Sequence, residues 1–144
     1  MELKIKNYTK IRAIVDEIAR HKGRALVVGG AVRDMVMEIA IKDLDIEVYG
    51  LHEEQLEKIL AQFGPVSLVG KSFGVLRIAG LDVDWSLPRA DSPGRKPTVV
   101  IDPHMTIEHA ARRRDLTMNA MSFDIITQEL IDPLGGLSDI KNKI

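Results

Sequence analysis

The fold is decided by residues 27–49, VVGGAVRDMVMEIAIKDLDIEVY, because three different patterns follow one another within this stretch. An apolar run stops at Gly29 and Gly30, after which apolar residues recur at helical spacing until the pattern changes to alternation. Glycine permits the tight turn that joins a strand to a helix. The stretch therefore predicts a strand, a glycine turn, a short helix and a second strand.

The second strand, over residues 42–49, carries acids on one face. Successive side chains of a strand point to opposite faces, so Asp43, Asp45 and Glu47 lie opposite the apolar residues. Asp43 and Asp45 would be about 7 Å apart along the strand. Such a pair suits Mg²⁺, which prefers carboxylates, waters and phosphates. The alternative is a solvated strand face or an ion-paired structural cluster. We interpret Glu47 as a structural or salt-bridged residue.

The glycine turn is a candidate phosphate site. Gly29 and Gly30 directly precede a helix, whose N-terminus offers free N–H groups and a positive dipole to a phosphate. The alternative is a simple turn between strand and helix. Arg33 lies in the first helical turn, where it pairs with Asp34 or a motif acid, or reaches a phosphate.

The rest of the chain predicts an α+β fold with a mixed, largely antiparallel sheet of about five strands backed by helices. Apolar stripes predict helices over residues 8–21 and 52–63, the first capped by Asn7 or Thr9 and ended by Gly23. Short strands are predicted over 25–28, 66–69, 75–79 and 81–85, the last two joined as a hairpin at Ala79-Gly80. Trp85 is assigned to the core because it alternates with Asp84.

The second half is less regular. Residues 87–102, LPRADSPGRKPTVVID, are rich in proline, glycine and charge, which predicts a mobile loop whose length favours a functional role or disorder. A helix is predicted over 106–114, and a second hairpin over 119–126 and 129–131. At the end of that helix Arg113 and Arg114 can bind triphosphate, and Asp115 can accept a hydrogen bond from a ribose hydroxyl. The alternative there is a solvated basic helix end.

Composition excludes several classes of protein. The chain has 144 residues, enough for one domain with a core, and its net charge of -1 is not that of a globally basic nucleic-acid binder. It has no cysteine, which excludes disulfides and thiolate zinc sites and fits a reducing compartment. The N-terminus lacks a signal-peptide pattern and no apolar run is long enough to span a bilayer, so we expect a cytoplasmic protein without a membrane partner.

Three ordered motifs resemble one family. GGAVRD followed by KDLDIEV, then RRRDLTMNAMSFD, then IDPLGGLSDI are similar to the head domain of class II tRNA nucleotidyltransferases (CCA-adding enzymes) and bacterial poly(A) polymerases. The similarity extends over residues 23–140, and three motifs in order are far more specific than any one of them. It implies the fold of the DNA polymerase beta-like nucleotidyltransferases.

The resemblance also implies roles for individual residues. Asp43 and Asp45 match the catalytic metal-binding pair, with two Mg²⁺ ions expected. Asp84, preferred over Asp82 because it aligns better, matches an acid that assists the attacking 3′-hydroxyl. The nucleotide-binding residues implied are Gly29, Gly30, Arg33, Asp34, Arg113, Arg114, Asp115 and Asn119. Glu38 stands where many members have glycine, which we interpret as a packing variation.

The implied activity is transfer of AMP or CMP from ATP or CTP to an RNA 3′ end, with tRNA the expected acceptor. Residues 1–144 correspond to the family's head alone, so we expect a fragment without the neck, body and tail that select the base and bind tRNA. Base choice, and CCA addition against poly(A) synthesis, would be decided there. The alternative to a fragment is a natural stand-alone head with unusual partners. The surface left exposed favours self-association. The alternatives are transfer to a non-RNA acceptor, or a non-catalytic head that binds nucleotide or RNA for a partner.

Overall fold

A computed structural model of the chain describes residues 5–39, 41, 44–69, 75–91, 99–101 and 121–132. The helices in this part of the chain are α1 (Tyr8–Arg20), α2 (Gly30–Val36) and α3 (Glu53–Ala61). The strands are β1 (Arg24–Val28), β2 (Leu44–Tyr49), β3 (Val66–Val69), β4 (Val75–Ile78), β5 (Val83–Ser86), β6 (Arg89–Asp91), β7 (Val99–Ile101), β8 (Ser122–Asp124) and β9 (Glu129–Ile131). The α+β class predicted from the sequence is confirmed.

Seven of these strands form one mixed sheet in the order β3-β4-β5-β2-β1-β8-β9. Its pairings are antiparallel except that β2 and β5 run parallel. The prediction of about five strands is too low, because the hairpin β8–β9 continues the same sheet beyond β1. The parallel pair arises because α3, β3 and β4 intervene between β2 and β5 in the chain.

One face of the sheet is covered by α1 and α3 and forms the main core. The apolar stripe of α1 is buried, and so is that of α3 apart from Phe63, which is half-buried against the same core. The strand residues on this face include Val27, Ile46 and Trp85, each with no exposed surface. Trp85 was assigned to the core from its alternation with Asp84, and that prediction is confirmed.

The helix ends differ from the sequence prediction. Gly23 was expected to end α1, but Lys22 takes the left-handed conformation with φ 68°. The amides of Lys22 and Gly23 then bond back to the carbonyls of Ala19 and Ile18, both at 3.0 Å. Gly23 is required for space instead, since a Cβ there would lie 2.8 Å from Ile18 Cγ2. At the other end Asn7 is the N-cap, without a side-chain capping bond.

The second helix ends in the same way. Glu38 is left-handed with φ 58°, and the amide of Ile39 donates to the carbonyl of Asp34 at 2.7 Å. The interpretation of Glu38 as a packing variation is therefore wrong. A glycine at this position adopts the left-handed backbone conformation of the helix end without strain. Ile39 follows the helical spacing in the sequence but lies after the helix and is 50% exposed.

Two further predictions meet different outcomes. Residues 87–102 do not form only a loop, since β6 and β7 pair antiparallel as a two-stranded ribbon. The proline and glycine residues lie mostly between these strands, whereas the β-branched residues 99–101 favour strand structure. The predicted helix over 106–114 and the segment from 133 onward lie outside the described residues.

Candidate active site

The carboxylates of Asp45 and Asp84 are brought together by the pairing of β2 with β5. The register places Asp45 beside Asp84 in the parallel pair, and Asp45 opposite Val28 in the antiparallel pair of β2 with β1. Residues directly paired across a sheet point to the same face, and neighbouring strands lie about 4.8 Å apart. Asp45 is exposed and Asp84 half-buried on the face opposite α1 and α3. We call this the acidic face.

The guanidinium group of Arg77 lies on the other side of Asp84, toward β4. Continuing the register of β4 with β5 by one residue places Arg77 opposite Asp84. Arg77 Nε donates to Asp84 Oδ1 at 2.6 Å, and 38% of the Arg77 side chain and 36% of the Asp84 side chain remain exposed. One row across the sheet therefore runs from Val28 through Asp45 and Asp84 to Arg77.

The glycine turn lies at the end of this row, directly after Val28. Gly29 has φ 72° and ψ -146°, close to a region of backbone conformation that only glycine occupies readily. A Cβ built on Gly29 would lie 3.8 Å from Asp45 Oδ2, so the turn passes close to this carboxylate. The backbone of the turn and the carboxylate of Asp45 therefore belong to one candidate site.

Arg33 folds back over the same turn. Its Nε and Nη2 donate to Asp34 Oδ1 at 3.2 and 3.1 Å, which selects Asp34 among the partners considered for this arginine. A Cβ on Gly30 would lie 3.2 Å from Arg33 Nη2. The second glycine therefore leaves room for the guanidinium at the start of α2.

The other acids near the site are distinguished by their positions. Alternation over residues 81–85 predicts that Asp82 and Asp84 share one strand face, but Asp82 is exposed and precedes β5, so only Asp84 lies on that strand. Asp82 lines a cavity of about 350 Å³ with Leu44 and Val83, which are buried on the face covered by α1 and α3. Glu47 accepts a hydrogen bond from the Tyr49 hydroxyl at 2.6 Å, which agrees with its structural interpretation.

Several residues singled out from the sequence lie outside the described part of the chain, and their roles stay predictions. They are Asp43, Arg113, Arg114, Asp115 and Asn119. The structure also shows one residue that the sequence analysis did not consider, Arg77. Its signal was present, because an arginine that alternates with Leu76 and Ile78 lies on the strand face opposite those apolar residues, as Asp84 does on β5.

The donor chemistry of the site fits a hard divalent cation. Asp45 and Asp84 offer only carboxylate oxygens, which are the ligands that Mg²⁺ prefers. Among the residues that the structure describes, no three His, Asp or Glu side chains converge on one point. The adjacent Asp43 lies outside those residues and belongs to the same acidic pattern in the sequence.

The fold and this site together define a class, the α+β nucleotidyltransferase heads that carry paired carboxylates on one sheet face beside a glycine turn. Residues 25–144 match the family described as the poly A polymerase head domain. The chain belongs to that family. Within the described residues, no helix is both long and apolar enough to cross a membrane.

Known proteins with similar sequence or structure carry the names of CCA-adding enzymes. The multifunctional CCA protein of Herminiimonas arsenicoxydans is 39% identical over 122 residues, which is 82% of this chain and 28% of that protein. The Bacillus stearothermophilus CCA-adding enzyme in complex with CTP superimposes with a TM-score of 0.77 at 28% identity, over 96% of this chain and 32% of that one. The Thermotoga maritima CCA-adding enzyme complexed with tRNA superimposes with a TM-score of 0.71 at 26% identity, over 97% of this chain and 32% of that one.

The shares of length are unequal. The chain spans about three tenths of the curated relatives it matches, from 27% to 32% of their length. The similarity therefore concerns the part of those proteins that corresponds to the head domain.

Proposed function

We propose that this chain is the catalytic head of a metal-dependent nucleotidyltransferase that adds AMP or CMP, taken from ATP or CTP, to the 3′-hydroxyl of an RNA. The proposed acceptor is tRNA, since the relatives named above are CCA-adding enzymes and one of them was solved with tRNA. The proposed domain assignment is a head over residues 1–144. The proposed location is the cytoplasm, where ATP, CTP and tRNA are available.

The observation that carries this proposal is the register of β2 with β5. It places Asp45 beside Asp84 on one face, and the Gly29 turn passes Asp45 Oδ2. Paired carboxylates beside a backbone that approaches closely are what transfer of a nucleotidyl group requires, because the reacting phosphate must be held against the acids.

The reaction would proceed by displacement at the α-phosphate. The 3′-hydroxyl oxygen forms a bond to the α-phosphorus, the bond from that phosphorus to the bridging oxygen of the β-phosphate breaks, and pyrophosphate leaves. Asp84 accepts the hydroxyl proton as the new bond forms. Asp43 and Asp45 would hold Mg²⁺, which supplies charge neutralisation at the phosphates when it is bound.

The remaining roles belong to residues that bind the nucleotide. Gly29 and Gly30 would let backbone amides approach the phosphates, while Arg33 and Asp34 hold the form of the turn. The sequence motif around Arg113 would supply the other contacts. In that motif Arg113 and Arg114 neutralise the triphosphate, Asp115 orients the ribose, and Asn119 completes the pocket.

The proposal is tested by terminal transfer. The purified chain is incubated with Mg²⁺, a tRNA that lacks its CCA end, and each α-labelled nucleoside triphosphate in turn, and the labelled RNA is resolved on a sequencing gel. We expect extension with CTP or ATP that EDTA removes. Asp45→Asn should reduce it by at least about 100-fold, because an amide replaces a charged metal ligand.

The matched control is Asp82→Asn, which removes one nearby carboxylate outside the row. It should retain activity within about twofold, whereas Asp84→Asn should lose at least about tenfold. Equal losses in the two variants would contradict the role of Asp84. Label transferred to a protein or small molecule would identify another acceptor. Nucleotide binding without any transfer, even when neck, body and tail segments are joined to the head, would identify a non-catalytic head.

A further inference from the structure

We propose that Arg77 is a positioning residue for the transfer reaction, and that its guanidinium holds the Asp84 carboxylate in the orientation that receives the proton of the acceptor hydroxyl. This inference rests on the proposed function, since it assigns a partner to the proposed proton acceptor. It concerns a residue on β4, outside the sequence motifs that carry the family resemblance.

The geometry of the row supports this role. Asp84 lies between Asp45 on β2 and Arg77 on β4, and the three residues point to the same face. Arg77 Nε donates to Oδ1 of Asp84 at 2.6 Å, a short charge-assisted bond. Because this bond engages one carboxylate oxygen from the β4 side, it restricts rotation of the carboxylate and leaves Oδ2 as the oxygen available for a proton.

Electrostatics give the same arginine a second effect. Asp45 and Asp84 are both acids on neighbouring strands, and like charges in direct cross-strand positions repel each other. A guanidinium beside Asp84 offsets this repulsion, so both carboxylates remain near each other before any cation binds. A lysine would supply the charge, but it lacks the planar fork that orients a carboxylate.

The kinetic test uses Arg77→Met, which keeps much of the side-chain length and removes the charge and the donors. We expect kcat for terminal transfer to fall at least about tenfold, with KM for CTP unchanged within about twofold. In the Asp84→Asn background the same substitution should have no further effect, because a residue that acts only through Asp84 has nothing left to position. Arg77→Lys should lie between the wild type and Arg77→Met.

The control is Arg12→Met. Arg12 and Asp16 form an ion pair in α1 at 3.0 Å, with side-chain exposures of 35% and 44% that are similar to those of Arg77 and Asp84. This variant measures the effect of losing such a pair away from the acidic face. Its kcat should stay within about twofold of wild type.

A second readout does not depend on activity. Three-bond couplings in ¹³C,¹⁵N-labelled protein report the χ1 rotamer of Asp84, which should be single in the wild type and averaged in Arg77→Met. If the wild-type chain transfers no nucleotide, the proposed function fails while this measurement still decides whether Arg77 positions Asp84.

Three results would overturn the inference. One is an Asp84 rotamer distribution that is the same in Arg77→Met and the wild type. Another is a loss in kcat that persists at full size in the Asp84→Asn background. The third is a raised KM for CTP with kcat unchanged, which would make Arg77 a phosphate ligand instead.

Discussion

Glu38 shows, at the scale of one residue, how backbone conformation explains a departure from a family pattern. Its φ of 58° places it in the left-handed region. A residue with a side chain adopts this conformation at a cost of about 1 kcal/mol or more in free energy, whereas glycine adopts it without strain. In this conformation the amides of Glu38 and Ile39 close the end of α2 by donating to the carbonyls of Met35 and Asp34 at 3.2 and 2.7 Å. The helix end therefore requires a left-handed conformation at this position, and in this chain a glutamate adopts it.

Replacing Glu38 with glycine should stabilise the protein by about 0.5–1 kcal/mol, because the relief of strain exceeds the extra entropy of glycine in the unfolded chain. Urea unfolding followed by the fluorescence of Trp85, the single tryptophan, measures this change. The control is Glu57→Gly, at an exposed position inside α3, which should destabilise by about 1 kcal/mol. A loss of stability in Glu38→Gly would contradict the account of this helix end.

Gly29 is the residue at which backbone strain and the candidate site meet. Gly29→Ala should cost about 2–3 kcal/mol, since φ 72° with ψ -146° suits glycine alone, and it should weaken CTP binding by displacing the turn beside Asp45. The comparison is Gly80→Ala, with φ 81° and no atom within 4 Å of the added Cβ. That variant should cost about 1 kcal/mol and leave CTP binding unchanged in isothermal titration.

At the residue scale, the sequence was enough to propose part of the candidate site. Asp45 and Gly29 were recognisable because acids are unusual on a strand face and glycines have a defined use in turns. The hydrogen bond from Arg77 to Asp84 was not recognisable from the sequence, because it depends on the register of two strands. Alternation gives the face on which a residue lies, but not the residue it lies opposite.

At the scale of elements, the hairpin β4–β5 shows why register escaped the sequence. A two-residue turn at Ala79-Gly80 would place Arg77 opposite Asp82. The connection is longer, with the Leu81 amide bonded to the Ile78 carbonyl at 3.1 Å and the Val83 amide to the Leu81 carbonyl at 2.8 Å. These local bonds move the register by two residues and bring Arg77 to Asp84.

The hairpin β8–β9 is secured by one buried carboxylate. Asp124 is only 4% exposed, and its Oδ2 accepts a hydrogen bond from Arg24 Nε on β1 at 3.0 Å. Its Oδ1 accepts from the amides of Ile126 and Thr127 at 2.9 and 3.3 Å, which shapes the turn. The same side chain therefore ties the hairpin to the sheet and forms its connection.

Asp124→Ala should destabilise the protein by about 2–3 kcal/mol, since it removes three hydrogen bonds, one of them to a charged donor. Hydrogen exchange at the amides of Ile126 and Thr127 should accelerate more than at α1. The matched control is Glu129→Ala, the exposed residue paired with Asp124 on β9, which should change stability by less than about 0.5 kcal/mol. Equal losses in both variants would show that the carboxylate has no special role.

At the scale of the whole molecule, the apolar stripes predict that helices cover one face of the sheet, but they do not predict the number of strands in the sheet. Stripes on α1 and α3 and alternation in β2 show which surfaces must be buried. They do not show that β8–β9 joins β1 rather than forming a separate hairpin, because short strands pair through backbone groups that every sequence carries. The expectation of about five strands therefore fell short.

Binding of nucleotide should stabilise the whole domain. With Mg²⁺ and CTP at about 100 times the dissociation constant, the gain is about 2.7 kcal/mol, or roughly 5–10 °C in Tm. Differential scanning calorimetry measures it, and EDTA should remove most of it. Asp45→Asn should lose the shift, whereas Asp82→Asn should keep it. A full shift in Asp45→Asn would contradict the placement of the metal and nucleotide beside Asp45.

The parallel pairing of β2 with β5 has a consequence for how the molecule is made. Asp45 and Asp84 are adjacent in space but thirty-nine positions apart in the chain. Closing so long a loop costs entropy before any contact repays it, so such pairings form slowly. A chain emerging from the ribosome could fold α1, β1 and β2 and still lack a chemical centre. The two carboxylates become neighbours only when β5 has been synthesised and has entered the sheet, so the proposed centre cannot form before that point.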